Sequence, residues 1–544
     1  MRTPSHRDPG EGVGKRGAHL KKLRDEIGWS VRIERSSPIA SKTARDIHRF
    51  RLENAEERKQ ILRRFGTNIY RPKRPGQEWV RLTALGSYRE VGRTMHLVTT
   101  NESLVLVDCG AKPGRESEWM PYFDAPEVLP PEKLDAVVIT HAHIDHIGNL
   151  PNLHKQGFAG NVYCTFATRD LAAIMLEDSA RIQVADAAYV SKKHKKKGLP
   201  PVEPLYLPED AESAVRQFVS LGYDRPLPVA DGVTLTFRDA GHILGSAQVI
   251  LDIDEGGTKR RLLFSGDIGR GGHAILRDPR PVEDVDVLLV ESTYGNREHT
   301  AQSGLSDEVE TLLAGTLNNG GKVIIPAFSV GRTQLLVYTL HQLVEAGRLP
   351  AFPIYVDSPL SVNATEVFRL HPECFNRDIY TFLREKENPF GMDNLTYIRK
   401  ASESIKLNSL DGPAIIISSS GMCEAGRIRH HLKNHISNPG DLILFVGYCA
   451  YNTLGSVIRA GIDPVYIFGE PHKVKAKIES FDGFSAHADK SELADYVKSL
   501  TGDIKKIFVV HGEEDSSLIF ADTLRQLKPS AKVTVPELNE SFDV

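Results

Sequence analysis

The sequence predicts a layered α/β protein in which one domain interrupts another. Three observations lead there. Short β-branched runs alternate with helical patterns from residue 79 onward. Nearly every run ends in a polar cluster, and in α/β proteins ligands bind at the carboxyl ends of strands. At 544 residues, with 40% hydrophobic and 26% charged content, the chain can bury the cores of roughly two to four domains. Disordered, collagen-like and mini-protein classes are excluded by that composition.

The first element is a basic arm. Residues 1–78 carry 20 Lys+Arg against 10 Asp+Glu, leaving 48 against 61 for the rest, so the formal charge of −3 conceals +10 on an arm and −13 on a body. Such a split suits a polyanionic partner, and equally a solvated arm with no partner. Residues 1–27 are expected to be poorly packed and residues 28–78 to form a helical linker. Within that linker the pattern of residues 44–65 reads as helix, with Ile47, Phe50, Leu52, Ile61 and Leu62 as anchors on the body.

The body, residues 79–298, opens with the runs Leu104–Asp108, Ala136–Thr140, Leu262–Ser265 and Val287–Glu291, ending in DCG, THAHIDH, SGD and ESTYG. Between them lies an Ala-rich helical segment, Leu171–Val190, followed by the charge run Lys192–Lys197 (KKHKKK). A run of this kind is usually a solvated helix end, with an RNA-contacting patch as the alternative. A second α/β unit over 299–469 supplies Val323–Pro326, Ile354–Asp357, Ala414–Ser418 and Leu442–Val446. The chain then returns through FSAHADKSEL and the strand Ile507–Val510 before HGEE over 470–544.

Five cysteines (Cys109, Cys164, Cys374, Cys423, Cys449) stand far apart without a CxxC pair, which argues against a disulfide framework and a thiolate zinc site. No apolar run approaches the ~20 residues of a membrane span. The first residues also lack the apolar centre of a signal peptide, and the expected location is cytoplasmic.

The chemistry concentrates in His141-Ala-His143-Ile-Asp145-His146, directly after a buried-looking strand. Residues i and i+2 of an extended segment face the same way, so His141 and His143 can bind one metal while the next turn offers Asp145 and His146 to a second. Later strand ends add His242, Asp267 and His511. An aspartate such as Asp267 can bridge two cations ~3.5–4 Å apart, the separation of hydrolytic two-metal sites. An all-nitrogen and oxygen donor set suits zinc, which makes a bound water acidic enough to act as a nucleophile.

HxHxDH with Asp108 upstream and His242 and Asp267 downstream resembles the metallo-β-lactamase fold. The resemblance implies an αββα sandwich binding two Zn²⁺ per chain. In that likeness His141, His143 and His242 hold one zinc, Asp145, His146 and His511 the other, Asp267 bridges, and Asp108 orients the loop. Glu291 in VLLVE, His487 in FSAHAD and His511 in HGEE look like motifs A, B and C of the β-CASP group, whose members cleave RNA or DNA. The segment between Glu291 and Glu470 would then be the inserted β-CASP parallel-sheet domain. A histidine at the third motif is typical of RNA-acting members, so the resemblance implies a ribonuclease acting on single-stranded RNA, and a homodimer.

In that reading Asp145 and Asp108 serve catalysis with the metals, His487 contacts the scissile phosphate and helps protonate the leaving oxygen, and Glu291 orients its imidazole. Ser329 and Arg332 in AFSVGRTQ and Ser419, Ser420 and Gly421 in SSSGM are candidates for RNA phosphate. Such turns let backbone N–H groups approach an anion, though they are common without one; resemblance to the family's RNA groove decides for function. His430 and His431 read as helix-surface residues. In the arm, Gly14-Lys15-Arg16-Gly17, continued by AHLKKLRDEIGW and VRIER, resembles the GxxG loop, helix and strand of a KH domain, as in archaeal-type cleavage and polyadenylation specificity factor proteins. The resemblance puts Lys15 and Arg16 on nucleotide backbone. The 13 residues before the loop supply no apolar strands, so the expectation is a remnant or a mis-assigned start. An ester or thioester hydrolase on the same fold and a non-catalytic RNA-binding scaffold are the alternatives. Glu291 and His487 argue against the first, and the complete ligand set against the second.

Overall fold

The computed structural model describes residues 17–27, 46, 49–50, 52–71, 79–112, 128–299, 305–386, 388–447, 449 and 453–544. It divides into two units, Met1–Arg71 and Pro72–Val544. In the first, α1 (Ala18–Ile27) and α2 (Ala55–Ile69) are described. Within this unit Phe50, Leu52, Ile61 and Leu62 are 66%, 40%, 38% and 51% exposed. Ile47, like Lys15 and Arg16, lies outside the described residues.

The second unit is built on three large sheets. One runs β22-β1-β2-β3-β4-β5-β6. Its members are β1 (Val80–Gly86), β2 (Met95–Thr100), β3 (Leu104–Val107), β4 (Ala136–Val138), β5 (Asn161–Thr165), β6 (Phe218–Leu221) and β22 (Ser541–Asp543). The other runs β21-β20-β11-β10-β9-β8-β7. It comprises β7 (Leu227–Ala230), β8 (Val233–Asp239), β9 (Ala247–Glu255), β10 (Thr258–Phe264), β11 (Val287–Glu291), β20 (Lys506–Val510) and β21 (Lys532–Thr534). In each, most strands that carry functional loops have parallel neighbours, β3 with β4, β4 with β5, β10 with β11 and β11 with β20, whereas β8 pairs antiparallel with β7 and β9. The sheets face each other, with His96 of β2 5.8 Å from Phe264 of β10 and Phe508 of β20 4.9 Å from Phe542 of β22, ring centre to ring centre. Strands covered on both faces read as continuous apolar runs, which is why VLLV and IFVV carry no alternation.

Chain between β11 and β20 forms the third sheet, ordered β14-β13-β15-β12-β16-β19 and wholly parallel. Its strands are β12 (Lys322–Pro326), β13 (Ile354–Asp357), β14 (Leu395–Tyr397), β15 (Ala414–Ser418), β16 (Leu442–Phe445) and β19 (Lys477–Ser480); β17 (Val465–Ile467) and β18 (Glu470–His472) form a separate hairpin. Alternate residues point to opposite faces. Val323, Ile325, Ile415 and Ile417 join a core continuous with the sandwich, while Ile324, Ile416 and Ile443 join a separate cluster with Ile428 and Leu432. Burying each such side chain is worth about 1.5–3 kcal/mol. The third sheet also takes a strand from beyond residue 469, since KIES (β19) pairs in parallel with the open edge of β16.

Helix α3 (Phe166–Lys196) ties the layers together. Its Leu171 and Leu176 share one core with Phe368 of α4 (Pro359–Leu370) in the insert. Among the described residues, no helix is long and apolar enough to cross a membrane.

Candidate metal centre

Each ligand-type side chain is delivered by a strand end. His141 and His143 follow β4, and Asp145 and His146 lie in the single turn Ile144–Ile147. His242 follows β8, Asp267 follows β10, Glu291 ends β11 and His511 follows β20. Local chemistry holds these loops to one another. Gly110 sits so close to the Asp145 carbonyl that an added Cβ would lie 1.7 Å from its oxygen, and the backbone bonds Cys109 N to His146 O and Ala111 N to Ile144 O clamp the DCG loop onto the HxHxDH turn. Asp108 and His511 both take left-handed backbone, at φ +61° and +51°, an unfavourable conformation that turns each side chain inward.

Asp108 does not face the centre but supports it. Its carboxylate accepts from Thr140 N and Thr140 Oγ1, both at 2.8 Å, and from His146 Nδ1 at 2.8 Å. That fixes the orientation of the His146 ring and turns its Nε2 toward the centre. His242 is fixed in the same way, its Nδ1–H donating to Ala486 O at 3.2 Å. Thr140, which no sequence motif marks, is also 3.1 Å from His141 Nδ1.

The free nitrogens converge. His141 Nε2 and His242 Nε2 lie 3.0 and 3.3 Å from His143 Nδ1, and His146 Nε2 lies 3.3 Å from His511 Nε2. Asp267 Oδ2 is 3.4 Å from His141, 3.5 Å from His146 and 3.5 Å from His242, while Oδ1 is 3.4 Å from His511 Nδ1. Asp145 Oδ2 is 3.4 Å from His511 Nε2. The structure thus brings together the donor groups His141, His143, His242 and Asp267, and Asp145, His146 and His511; Glu291 forms a third, overlapping group with Asp267 and His511.

The donor set fits a metal on two grounds. Both carboxylate oxygens of Asp267 are buried and accept no hydrogen bond, a costly state for a charged group without a cation. In addition, imidazole nitrogens from separate segments of the chain converge to within 3.3 Å of one another, the kind of donor a zinc ion gathers. Burial drives His141 and His242 well below the usual imidazole range and His143 down to about 4, whereas at His146 and His511 burial is outweighed by Asp267 and the other nearby carboxylates, which raise both. Burial also works against the charges of Asp267 and Asp145, but the surrounding imidazoles outweigh it and hold both carboxyls below their ordinary range.

His487 stands at the rim. Its Nδ1 is 3.3 Å from each oxygen of Glu291, which is fully buried and also accepts from Ile268 N at 2.6 Å. Burial lowers the His487 pKa, and the carboxylates of Glu291 and Asp267 more than reverse it, for a net rise. Its side chain is 19% exposed, and with Nδ1–H donated to Glu291, the other nitrogen is left for a ligand.

The phosphate candidates gather at the carboxyl end of the third sheet. Ser358, the N-cap of α4, links two of them, lying 3.4 Å from Ser329 Oγ and accepting from Ser419 Oγ at 2.8 Å. Ser420 braces its own loop through Ala425, and a Cβ on Gly421 would press 2.9 Å from the Phe328 ring. Arg332 opens the next helix and donates to Val446 O, beyond β16. His431 is not a surface residue. It is buried, with Nε2 2.7 Å from Asp357, whose carboxylate also takes Arg427 at 2.7 Å and Ser404 at 2.6 Å. The polar end of IYVDSPLS was the available signal for this cluster and for Ser358. His430 is exposed as expected.

Three family models match successive stretches of the chain. Residues 88–301 match the metallo-beta-lactamase superfamily, 333–458 the Beta-Casp domain, and 471–536 the Zn-dependent metallo-hydrolase RNA specificity domain. The chain is 34% identical over 527 residues to transcription termination factor FttA of Methanosarcina mazei, covering 95% of this chain and 80% of that protein. It is 34% identical over 533 residues to the FttA of Methanocaldococcus jannaschii, with the same coverage of 95% and 80%. With ribonuclease TTHA0252 of Thermus thermophilus the identity is 36% over 450 residues, 82% of this chain and 96% of that one. A sandwich whose strand ends converge on a metal centre, interrupted by a parallel-sheet insert and closed by the RNA-specificity segment, places this chain in the β-CASP family of metal-dependent hydrolases.

Proposed function

We propose that the protein is a zinc-dependent ribonuclease that hydrolyses phosphodiester bonds of single-stranded RNA with two zinc ions per chain. The observation that carries this reading is the pair of converging donor groups joined by an Asp267 carboxylate with no hydrogen-bond donor on either oxygen. His141, His143 and His242 would hold one ion, Asp145, His146 and His511 the other, and Asp267 both. Bound there, zinc supplies Lewis acidity toward the phosphate and a water acidic enough to attack at neutral pH.

The chain's own residues do the rest. Thr140 and Asp108 keep the HxHxDH loop and the His146 ring in place. Glu291 holds the Nδ1 side of His487, so that the opposite nitrogen can donate a proton to the departing ribose oxygen. Ser329, Ser419, Ser420, Gly421 and Arg332 line a strand-end surface suited to the RNA backbone on the insert side. The relatives named for termination and for ribonuclease activity support RNA as the substrate class.

The test is to measure zinc per chain and cleavage of three substrates: a linear 5′-monophosphate RNA, a circular RNA and single-stranded DNA. Metal-dependent cleavage of RNA well ahead of DNA is expected. Cutting of the circle identifies endonucleolysis. A metal-loaded protein that cleaves none of the RNAs would overturn the reading in favour of an ester or thioester hydrolase.

A further inference from the structure

The lysine-rich end of α3 has no role in the metal centre. Lys192, Lys193, Lys195, Lys196 and Lys197 are all exposed, and among the described residues none of them pairs with a carboxylate. Within residues 187–205 the one carboxylate is Glu203. A helix C-terminus favours a cation or two, but five exceed what the partial charge of that end can use. The end is also held in a defined shape. His194 Nδ1 lies 2.8 Å from Pro200 O, Leu199 N donates to His194 O at 3.0 Å, and Ser191 Oγ exchanges hydrogen bonds with Val202 N and O at 2.8 and 3.1 Å. The charges are therefore presented on a folded helix–loop end. Beside them, Tyr189 is 60% exposed with Lys193 Nζ 4.4 Å from its ring centre, an aromatic set among cations as in surfaces that bind single strands.

The other end of the same helix touches the metal centre's surroundings. Thr165, its N-cap, and Thr168 donate to Gly245 O at 2.7 and 2.9 Å, three residues past His242. A helix of 31 residues spans about 45 Å, so the lysines stand roughly that far from its first turn. An RNA strand needs about 13 stacked nucleotides, at 3.4 Å each, to cover that distance.

We propose that the lysine-rich end of α3 is a distal docking surface for the phosphate backbone of the RNA whose other part lies at the metal centre. The inference rests on the ribonuclease reading. It makes recognition depend on length, because short RNA can occupy the centre without reaching the lysines.

The experiment uses the full chain carrying Lys192→Glu, Lys195→Glu and Lys196→Glu together, three positions on one helix face. Binding and cleavage are measured for RNAs of about 6 and about 30 nucleotides, lengths on either side of the estimated span. For the long RNA the expected result is at least a fivefold rise in Kd and KM with kcat little changed, and a salt dependence of log affinity shallower by about 2. Short RNA should be cleaved as by the unaltered protein. The matching triple Lys→Gln variant should show the same trend at smaller amplitude, without loss of thermal stability. An unchanged Kd, KM and salt slope on the long RNA would overturn the proposal, leaving a solvated helix end or a protein-binding surface. Length-dependent binding through the lysines without cleavage of either RNA would instead uphold the dock and remove the ribonuclease reading.

Discussion

At the scale of single residues, the division of labour rests on which nitrogen of each histidine is committed elsewhere. His242 gives Nδ1–H to a backbone carbonyl and His146 gives its own to Asp108, so their remaining nitrogens point toward the donor cluster. His487 is committed to Glu291 instead and is not required to hold the metal. Replacing His487 with Ala should therefore leave the zinc content unchanged and lower RNA cleavage by about 10²–10⁴-fold, the usual worth of a positioned acid. Retention of full activity at unchanged metal content would remove the role. The members of the donor cluster were legible in the sequence because each is chemically distinctive and comes after an apolar run. Thr140 was not, since a threonine that feeds a carboxylate looks like any strand-end threonine until Asp108 is seen 2.8 Å away.

At the scale of elements, the insert is organised around a buried polar knot as well as an apolar core. Asp357 ends β13 and receives His431 and Arg427 from the loop and helix beyond β15. Burial would raise the Asp357 pKa, but hydrogen bonds from His431, Ser404 and Arg427 reverse that and leave it lowered. A carboxyl held low contributes stability above its unfolded pKa of about 3.9 and loses it as pH falls through the folded value. His431→Ala should cost about 1–3 kcal/mol and lower the thermal midpoint by a few degrees, with the deficit fading as the pH falls below about 4. A melting curve superimposable on the unaltered protein's at pH 7 would contradict this. Pattern alone placed His431 on the surface because RIRHHLK has the charge of a solvated helix. The partner that buries it lies 74 residues away.

At the scale of the whole molecule, four loops of one sheet pair and the return past the insert meet at one centre, so metal and fold must be linked. A ligand that binds only the folded state adds about 4 kcal/mol at 1,000 times its Kd. Removing metal with a chelator should lower the unfolding midpoint and abolish RNA cleavage together, and adding zinc should restore both. A chelated protein that melts as before would show that the donors are held apart from any ion. The interrupted layout was legible from strand runs in order along the chain. Which strand closes which sheet edge was not, since β19 reads as part of the return and pairs inside the insert.

That layout also sets an order in time. His511 comes 365 residues after the His146 it faces, and β11 finds its partner β20 only once the insert has been made. At 5–20 residues per second a ribosome needs roughly 20–70 s to cross that interval. Until then the nascent chain holds His141, His143, Asp145 and His146 without the last ligand. The centre is completed only after residue 511 has been made, so a nascent chain shorter than that carries the donors that follow β4 without the His511 they face.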